Sequence, residues 1–234
     1  MNKLLSMVLW DLRLQARYNI VTVTCVVTAL YVLVFRAVPA AREEDILILL
    51  LYSDPSMLGF MFIGALVLFE KDANILRALT VTPLRTSQYL WSKAISLTLI
   101  VVPASLVMGI AARGAGLSFG YLLLAVILSS LLFIMIGFSG VARVTTFNQY
   151  IIVVPLFLAP LCLPFLNLFG VTDTYWLYLV PSQASLLLFQ AAYRAVPPVK
   201  LVYAVLYLAL WIGLAYAAAA RSFEAYIVRG GKRS

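Results

Sequence analysis

Six stretches of this chain, at about 19–38, 46–69, 89–112, 118–141, 149–170 and 199–220, run almost without charge through aliphatic and aromatic residues. No other feature constrains the fold so tightly. A bilayer core is about 30 Å thick, and a helix rising about 1.5 Å per residue needs about 20 apolar residues to cross it. The composition agrees: 64% hydrophobic, 11% charged, mean hydropathy +1.03. A soluble domain is roughly half apolar and a quarter charged. The expected fold class is an all-α integral membrane protein with six transmembrane helices in one domain over residues 1–234.

Charge sets the topology. Lys and Arg accumulate in cytoplasmic loops, and six crossings put both termini on one side. Residues 1–18, the 70–93 stretch, Arg143 and the tail 221–234 hold 12 of the 17 Lys and Arg, whereas Arg36, Arg42, Arg113, Arg194 and Lys200 lie opposite. Both termini are therefore expected in the cytoplasm. The same loops account for the net charge of +8, and no basic patch beyond them points to nucleic acid.

Several chemistries are closed off. Histidine is absent, which removes the commonest general base and the commonest metal or haem ligand. Cys25 and Cys162 sit in apolar runs as small hydrophobes, with neither a disulfide framework nor zinc spacing. No GxxxxGK[ST] loop is present to cradle a nucleotide phosphate. The N-terminus lacks the short apolar core and small-residue cleavage site of a signal peptide. Asp54 is the one acid expected deep in the membrane, so a relay of buried acids that could power transport is not expected. The chain is read as having no catalytic residues and no cofactor of its own.

Two flanking segments differ from spans. In residues 1–18, Leu4, Leu5, Val8, Leu9 and Leu12 share a helical face and Trp10 suits headgroup depth, which predicts a helix along the membrane interface. The alternative is a plain start to the first span. Residues 171–198 are too long and too apolar for a solvated loop. Pro181 breaks them, and Ser182 can cap a helix running to Arg194, about 20 Å long and too short to cross. They are read as a helical hairpin dipping into the outer leaflet, the alternative being a seventh, imperfect span.

Asp54, in LYSDPSMLGF, has two readings. With Pro55 at the first helical position it makes a strong helix start, breaking span two at Ser53–Pro55. As a carboxylate facing a cavity it attracts a cationic substrate, and a broken helix lining a cavity allows both. Asn148 and Gln149 likewise either cap span five or meet a substrate entering from the cytoplasm. Gly137, Ser139, Gly140 and the Ala217–Ala220 run permit close helix packing.

The stretch FEKDANILRALTVTPLRTSQYLWSK, Phe69–Lys93, is the polar exception. Glu70 closes span two. Asp72 can cap a helix over about Ala73–Leu79, on which Ile75, Leu76 and Leu79 form a narrow apolar stripe with Arg77 to one side. Pro83 stops that helix, and Thr86 can cap span three. Two helical turns are not stable alone. They need a surface, whether lipid headgroups, the protein's own loops or a separate partner.

This stretch resembles the segment between spans two and three of ABC-2-type exporter permeases. Those proteins show an acidic residue ending span two, a short helix, a Ser/Thr-Pro turn and a lysine entering span three, matched here by Glu70, Ile75–Leu79, Thr82–Pro83 and Lys93. The six-span order, the interface helix and the hairpin before span six match as well, so the resemblance covers nearly the whole chain. DPSMLGFMFIGALVLFEKD with ALTVTPLRTSQYL looks most like the fluoroquinolone-export branch. The resemblance implies a single ABC-2-type transmembrane domain, with interface helix 1–18, coupling segment 70–88, external hairpin 171–198 and cytoplasmic tail 221–234. It also implies a separate cytoplasmic ABC ATPase in two copies, which binds ATP and Mg, and a second permease chain, identical or related. Such a transporter sits in a bacterial or archaeal cytoplasmic membrane and exports a drug-like or amphipathic substrate by alternating access between the paired permeases.

Residue roles carry over one by one. Ile75, Leu76 and Leu79 would bury in the ATPase groove, and Lys71 and Arg77 would meet its acidic rim. Asp72 belongs to the same segment. Glu70 would brace its start through Arg85 or Lys93, and Thr82–Pro83 would fix its exit angle. Tyr52, Asp54 and Phe60 on span two, with Asn148 and Phe157 on span five, are the candidates for the substrate pathway. Three other readings stand beside this one: a haem-exporter-type permease of cytochrome maturation, a membrane-embedded lipid enzyme, and a structural or channel protein. The absence of histidine counts against the first, and no cluster of catalytic polar groups supports the second.

Overall fold

The computed structural model describes residues 3–38, 40, 43–54, 58–76, 85–114, 116–171 and 174–225. Those residues contain helices and no strand. They form α1 (Lys3–Arg17), α2 (Ile20–Ala37), α3 (Glu44–Ser53), α4 (Gly59–Asp72), α5 (Thr86–Arg113), α6 (Phe119–Val141), α7 (Phe147–Leu158), α8 (Phe165–Leu168), α9 (Pro181–Tyr193) and α10 (Pro198–Phe223). Of these, α2, α5, α6 and α10 are long and apolar enough to cross a membrane.

Residues 46–69 fall on α3 and α4, and residues 55–57 between them, where a break at Ser53–Pro55 is expected, lie outside the described residues. Residues 149–170 are interrupted: they fall on α7, a 3₁₀ turn at Pro160–Cys162, and the single turn α8. Proline explains that break: Pro155 lies inside α7, and Pro160 and Pro164 follow it, each removing a backbone donor and crowding the turn before it.

The bundle is built around α6, which packs against α4, α5, α7, α9 and α10. Its sequence is apolar on every side, as expected of a helix with neighbours all round. Two glycines set how closely those neighbours approach. A Cβ on Gly137 of α6 would lie 2.5 Å from Ile63 Cγ2 and 3.2 Å from the Phe60 carbonyl oxygen, so α4 rests directly on the α6 backbone. A Cβ on Gly64 of α4 would lie 1.9 Å from the Tyr150 ring of α7. That ring is buried, and its hydroxyl donates to the Phe60 carbonyl at 2.5 Å.

The segment read as a hairpin becomes a 3₁₀ turn (Tyr175–Leu179) followed by α9. All of α9 except Gln190 is buried, between α3, α6 and α10. Its 13 residues span about 20 Å, so it is no seventh crossing. Ser182 is not its cap: extended Val180 precedes it, Pro181 occupies the first turn, and Ser182 is buried with an unpartnered hydroxyl. The end of α9 is tied to the start of α6 by Ser118 N–H donating to the Ala192 carbonyl at 3.0 Å. Nearby, Arg113 pairs with Glu44 at 2.6 Å and Arg194 with Asp45 at 3.4 Å. These pairs are about 40% exposed, where such contacts contribute about 0.2–1 kcal/mol.

The α4–α7 contact is open to a direct check. Gly64→Ala should destabilise the protein by about 1–3 kcal/mol, the usual effect of overpacking, because the Tyr150 ring has to leave its seat. Tyr150→Phe, which keeps the ring and loses one hydrogen bond, should cost about 1 kcal/mol. Thermal unfolding in detergent should therefore rank Gly64→Ala as the worse substitution, and the reverse order would contradict the packing described.

Candidate functional site

Three helices meet at the end of the bundle that carries α1, and a buried cluster of charges joins them. Lys93, near the start of α5, is 1% exposed. Its ammonium bridges Asp11 of α1, at 2.6 Å, and Glu70 of α4. Both carboxylates are buried too, and every oxygen has a donor. Glu70 Oε2 accepts from the Tyr89 hydroxyl at 2.6 Å, and Asp11 Oδ2 accepts from the Ser92 hydroxyl at 2.7 Å. One turn away the Gln15 amide donates to Ser96 Oγ at 2.7 Å. A buried ion cluster is tolerated only when its charges are well compensated, as these four carboxylate oxygens are, and removing one partner costs about 3–5 kcal/mol because the others are left uncompensated.

The cluster explains the shape of α1. Its buried face is Val8, Asp11 and Gln15, while Leu5, Leu9 and Trp10 are exposed. An apolar outer face suits a membrane surface, and the polar face meets the polar start of α5. The helix breaks at Asn19, whose φ of 58° is left-handed, and α2 begins there.

Lys71 takes a different place from the one expected of it. Its ammonium donates to the carbonyls of Val141, Ala142 and Val144, at 2.9, 3.3 and 2.7 Å. Those groups form the end of α6, where unpaired carbonyls and the helix dipole favour a cation. Burial lowers the Lys71 ammonium to about 8, with the Asp72 carboxylate acting in the opposite sense. Lys71 is thus a cap on α6 and not a free rim cation. Asp72 is not the N-cap of a new helix either. It is the last residue of α4, and the chain turns after it at Asn74, which has φ 56°. The helix runs on because Glu70 and Lys71 both have partners to reach.

Ile75 and Leu76 resume helical backbone. Leu76 is buried in the protein's own core and Ile75 is half-buried, so Leu76 is an anchor and leaves Ile75 the more accessible. Arg77, Leu79, Thr82 and Pro83 lie outside the described residues. Thr86 is the first residue of α5 and not its cap. Arg85 precedes it in extended conformation, and its N–H donates to the Gln88 side chain at 3.2 Å. Of the two partners expected for Glu70, the structure selects Lys93 over Arg85.

Of the proposed pathway residues, the structure brings Phe60 and Phe157 into ring contact, whereas Tyr52, Asp54 and Asn148 have other neighbours. Tyr52 is buried among Phe133, Phe165 and Phe189, at ring separations of 5.8, 5.2 and 6.0 Å. Phe60 is buried between Tyr150 and Phe157, at 5.7 and 6.2 Å. Asn148 is exposed in the first turn of α7, which Thr146 caps by accepting from Gln149 N–H at 3.4 Å. Asp54 has helical backbone, φ −61° and ψ −62°, whereas an N-cap residue is extended. It closes α3, and its side chain reaches Ser105 of α5 at 3.4 Å.

The amphipathic pattern of residues 1–18 gives Asp11 no role of its own. The signal for its role was the spacing: Asp11 and Gln15 on α1, and Ser92, Lys93 and Ser96 on α5, each put polar groups on one face of a helix otherwise set among apolar residues. Among the described residues no group of His, Cys, Asp and Glu is placed to hold a metal.

Apolar helices of crossing length, joined at one end by buried charge, make a multi-pass membrane protein, and comparison with known proteins gives its class as an export permease. The chain belongs to the fluoroquinolones export permease protein family, whose model matches residues 2–231. Two relatives from two strains of Mycobacterium tuberculosis, both named fluoroquinolones export permease protein, are each 32% identical to it over 241 residues, covering 98% of this chain and 98% of each relative.

The charge count of the cluster yields a prediction. Two carboxylates face one ammonium, so Lys93→Met strands two buried anions, whereas Glu70→Gln leaves a balanced Asp11–Lys93 pair. Lys93→Met should destabilise by about 3–5 kcal/mol and Glu70→Gln by less than half of that. Adding Asp11→Asn and Glu70→Gln to Lys93→Met should restore part of the loss. Unfolding midpoints in detergent measure all three, and equal effects of the two single substitutions would rule out this charge balance.

Proposed function

We propose that the chain is the transmembrane subunit of an ATP-driven ABC exporter, with six crossings, both termini in the cytoplasm, and its 70–88 segment docked on a separate ATPase. The observation that carries this is the Asp11–Lys93–Glu70 cluster at the root of that segment. A solvated loop has no need of a buried ion cluster, with every carboxylate oxygen satisfied, beneath it. A segment that receives force does: the cluster, together with Lys71 on the end of α6, joins α1, α4, α5 and α6 so that a displacement of residues 77–84 reaches all four.

In this reading Ile75 and Leu79 enter the ATPase groove, Leu76 holds the segment to the bundle, Arg77 meets the rim of the groove, and Thr82–Pro83 set the return angle. ATP and Mg are bound by the ATPase, in two copies, and not by this chain. A second permease, identical or related, covers the outer face of α7, where Ile152 and Leu156 are 76% and 73% exposed. The pathway for a drug-like or amphipathic substrate follows the line of Asn148 and Phe157 on α7, with Tyr52, Asp54 and Phe60 behind it. The relatives' name, fluoroquinolones export permease, supports an aromatic, drug-like cargo.

Copurification tests this reading. The permease expressed with its neighbouring genes should bring down an ABC ATPase. Leu79→Asp should reduce both that association and ATP-driven efflux at least tenfold, since a charge placed in an apolar groove costs a few kcal/mol. An ATPase that never copurifies, or a Leu79→Asp variant that binds and exports normally, would end the coupling reading.

A further inference from the structure

Asp54 is left unexplained by coupling. It is 2% exposed, and only one of its oxygens is engaged, by the Ser105 hydroxyl at 3.4 Å. The other, Oδ1, has no hydrogen-bond partner. Among the described residues no Lys or Arg forms an ion pair with it, whereas the buried acids Asp11 and Glu70 each have one. It lies ten residues from Glu44, about 15 Å along a helix and so near the middle of a bilayer core of about 30 Å. Beside it are the closing carbonyls of α3, the negative end of that helix's dipole. The other titratable group near enough to interact with it is Tyr31 of α2, whose ring stacks on Phe35 at 6.2 Å. A carboxylate in such surroundings does not stay ionised and alone: it holds a proton or it meets a cation.

We infer that Asp54 is the cation-recognition point of the transport pathway, where Oδ1 takes the protonated amine of an amphipathic substrate. This rests on the reading of the chain as an export permease. The ammonium and the carboxylate together leave the site neutral overall. The nearby Tyr31 ring offers a face that favours a cation with an apolar body, and Ser105 holds the second oxygen in place.

The test uses inverted membrane vesicles containing the permease with its ATPase, and two probes: a fluoroquinolone with a free ring amine and the same compound acylated on that nitrogen. The wild type should half-saturate with the amine at a concentration roughly tenfold lower than with the acylated form, the ratio a charge-assisted hydrogen bond supplies. Asp54→Asn should abolish that ratio, weakening the amine more than the acylated probe. Ser105→Ala, a gentler change, should reduce the ratio about two- to threefold. Equal loss for both probes in Asp54→Asn, with Ser105→Ala leaving the ratio untouched, would show a structural carboxyl and overturn the inference, as would two probes that the wild type handles alike. A wild type that binds its ATPase but moves neither probe would overturn this cargo assignment and leave coupling intact. One that binds no ATPase would remove the export reading itself.

Discussion

One ammonium held between two carboxylates makes the α1 end of this bundle a single piece. Lys93, Asp11 and Glu70 lie on three helices that have little else in common: α1 is short and amphipathic, α4 is apolar until its last turn, and α5 is the longest helix described. Apolar packing holds such helices together without fixing their rotation, since Leu against Leu accepts many registers. Opposed charges that must each reach a donor accept very few. The directional contacts at this end, Tyr89 on Glu70, Ser92 on Asp11 and Lys71 on the three carbonyls at and just beyond the end of α6, therefore set the registers that the apolar core then fills.

The opposite end is built differently. There the pairs Arg113–Glu44 and Arg194–Asp45 are half exposed, and screening by water and salt leaves them weak. What organises that end is the buried helix α9, clasped by α3, α6 and α10. The molecule thus has a directional, hydrogen-bonded end and an end organised by apolar packing.

How much of this could be read in the sequence depends on the range of each interaction. The spans were legible because bilayer thickness fixes a length of apolar sequence, and α2, α5, α6 and α10 fall within a few residues of the runs at 19–38, 89–112, 118–141 and 199–220. The short helix before the last span was legible from Pro181 and a length that cannot cross. The cluster was only half legible. Glu70 and Lys93 are 23 residues apart across one connection, whereas Asp11 and Lys93 are 82 apart, on helices whose contact no local pattern announces. Caps were misread at Asp72, Thr86 and Ser182 for one reason. Each residue type suits a cap, but Glu70 and Lys71 had tertiary partners that drew α4 onward, and Arg85 and Val180 took the extended backbone that the cap position requires.

The two acids on the α3–α4 line show what the bundle does with charge. Glu70, at the root of the polar segment, is paired and hydrogen-bonded. Asp54 stands 16 residues earlier, at the close of α3, with one oxygen unengaged. Between them α4, about 21 Å of helix, is seated on α6 at Gly137 and under the Tyr150 ring at Gly64, contacts that leave little room for either helix to slide past the other. The line thus carries two answers to a buried carboxyl: compensation by an ammonium and a phenol at Glu70, and a single hydroxyl, from Ser105, at Asp54.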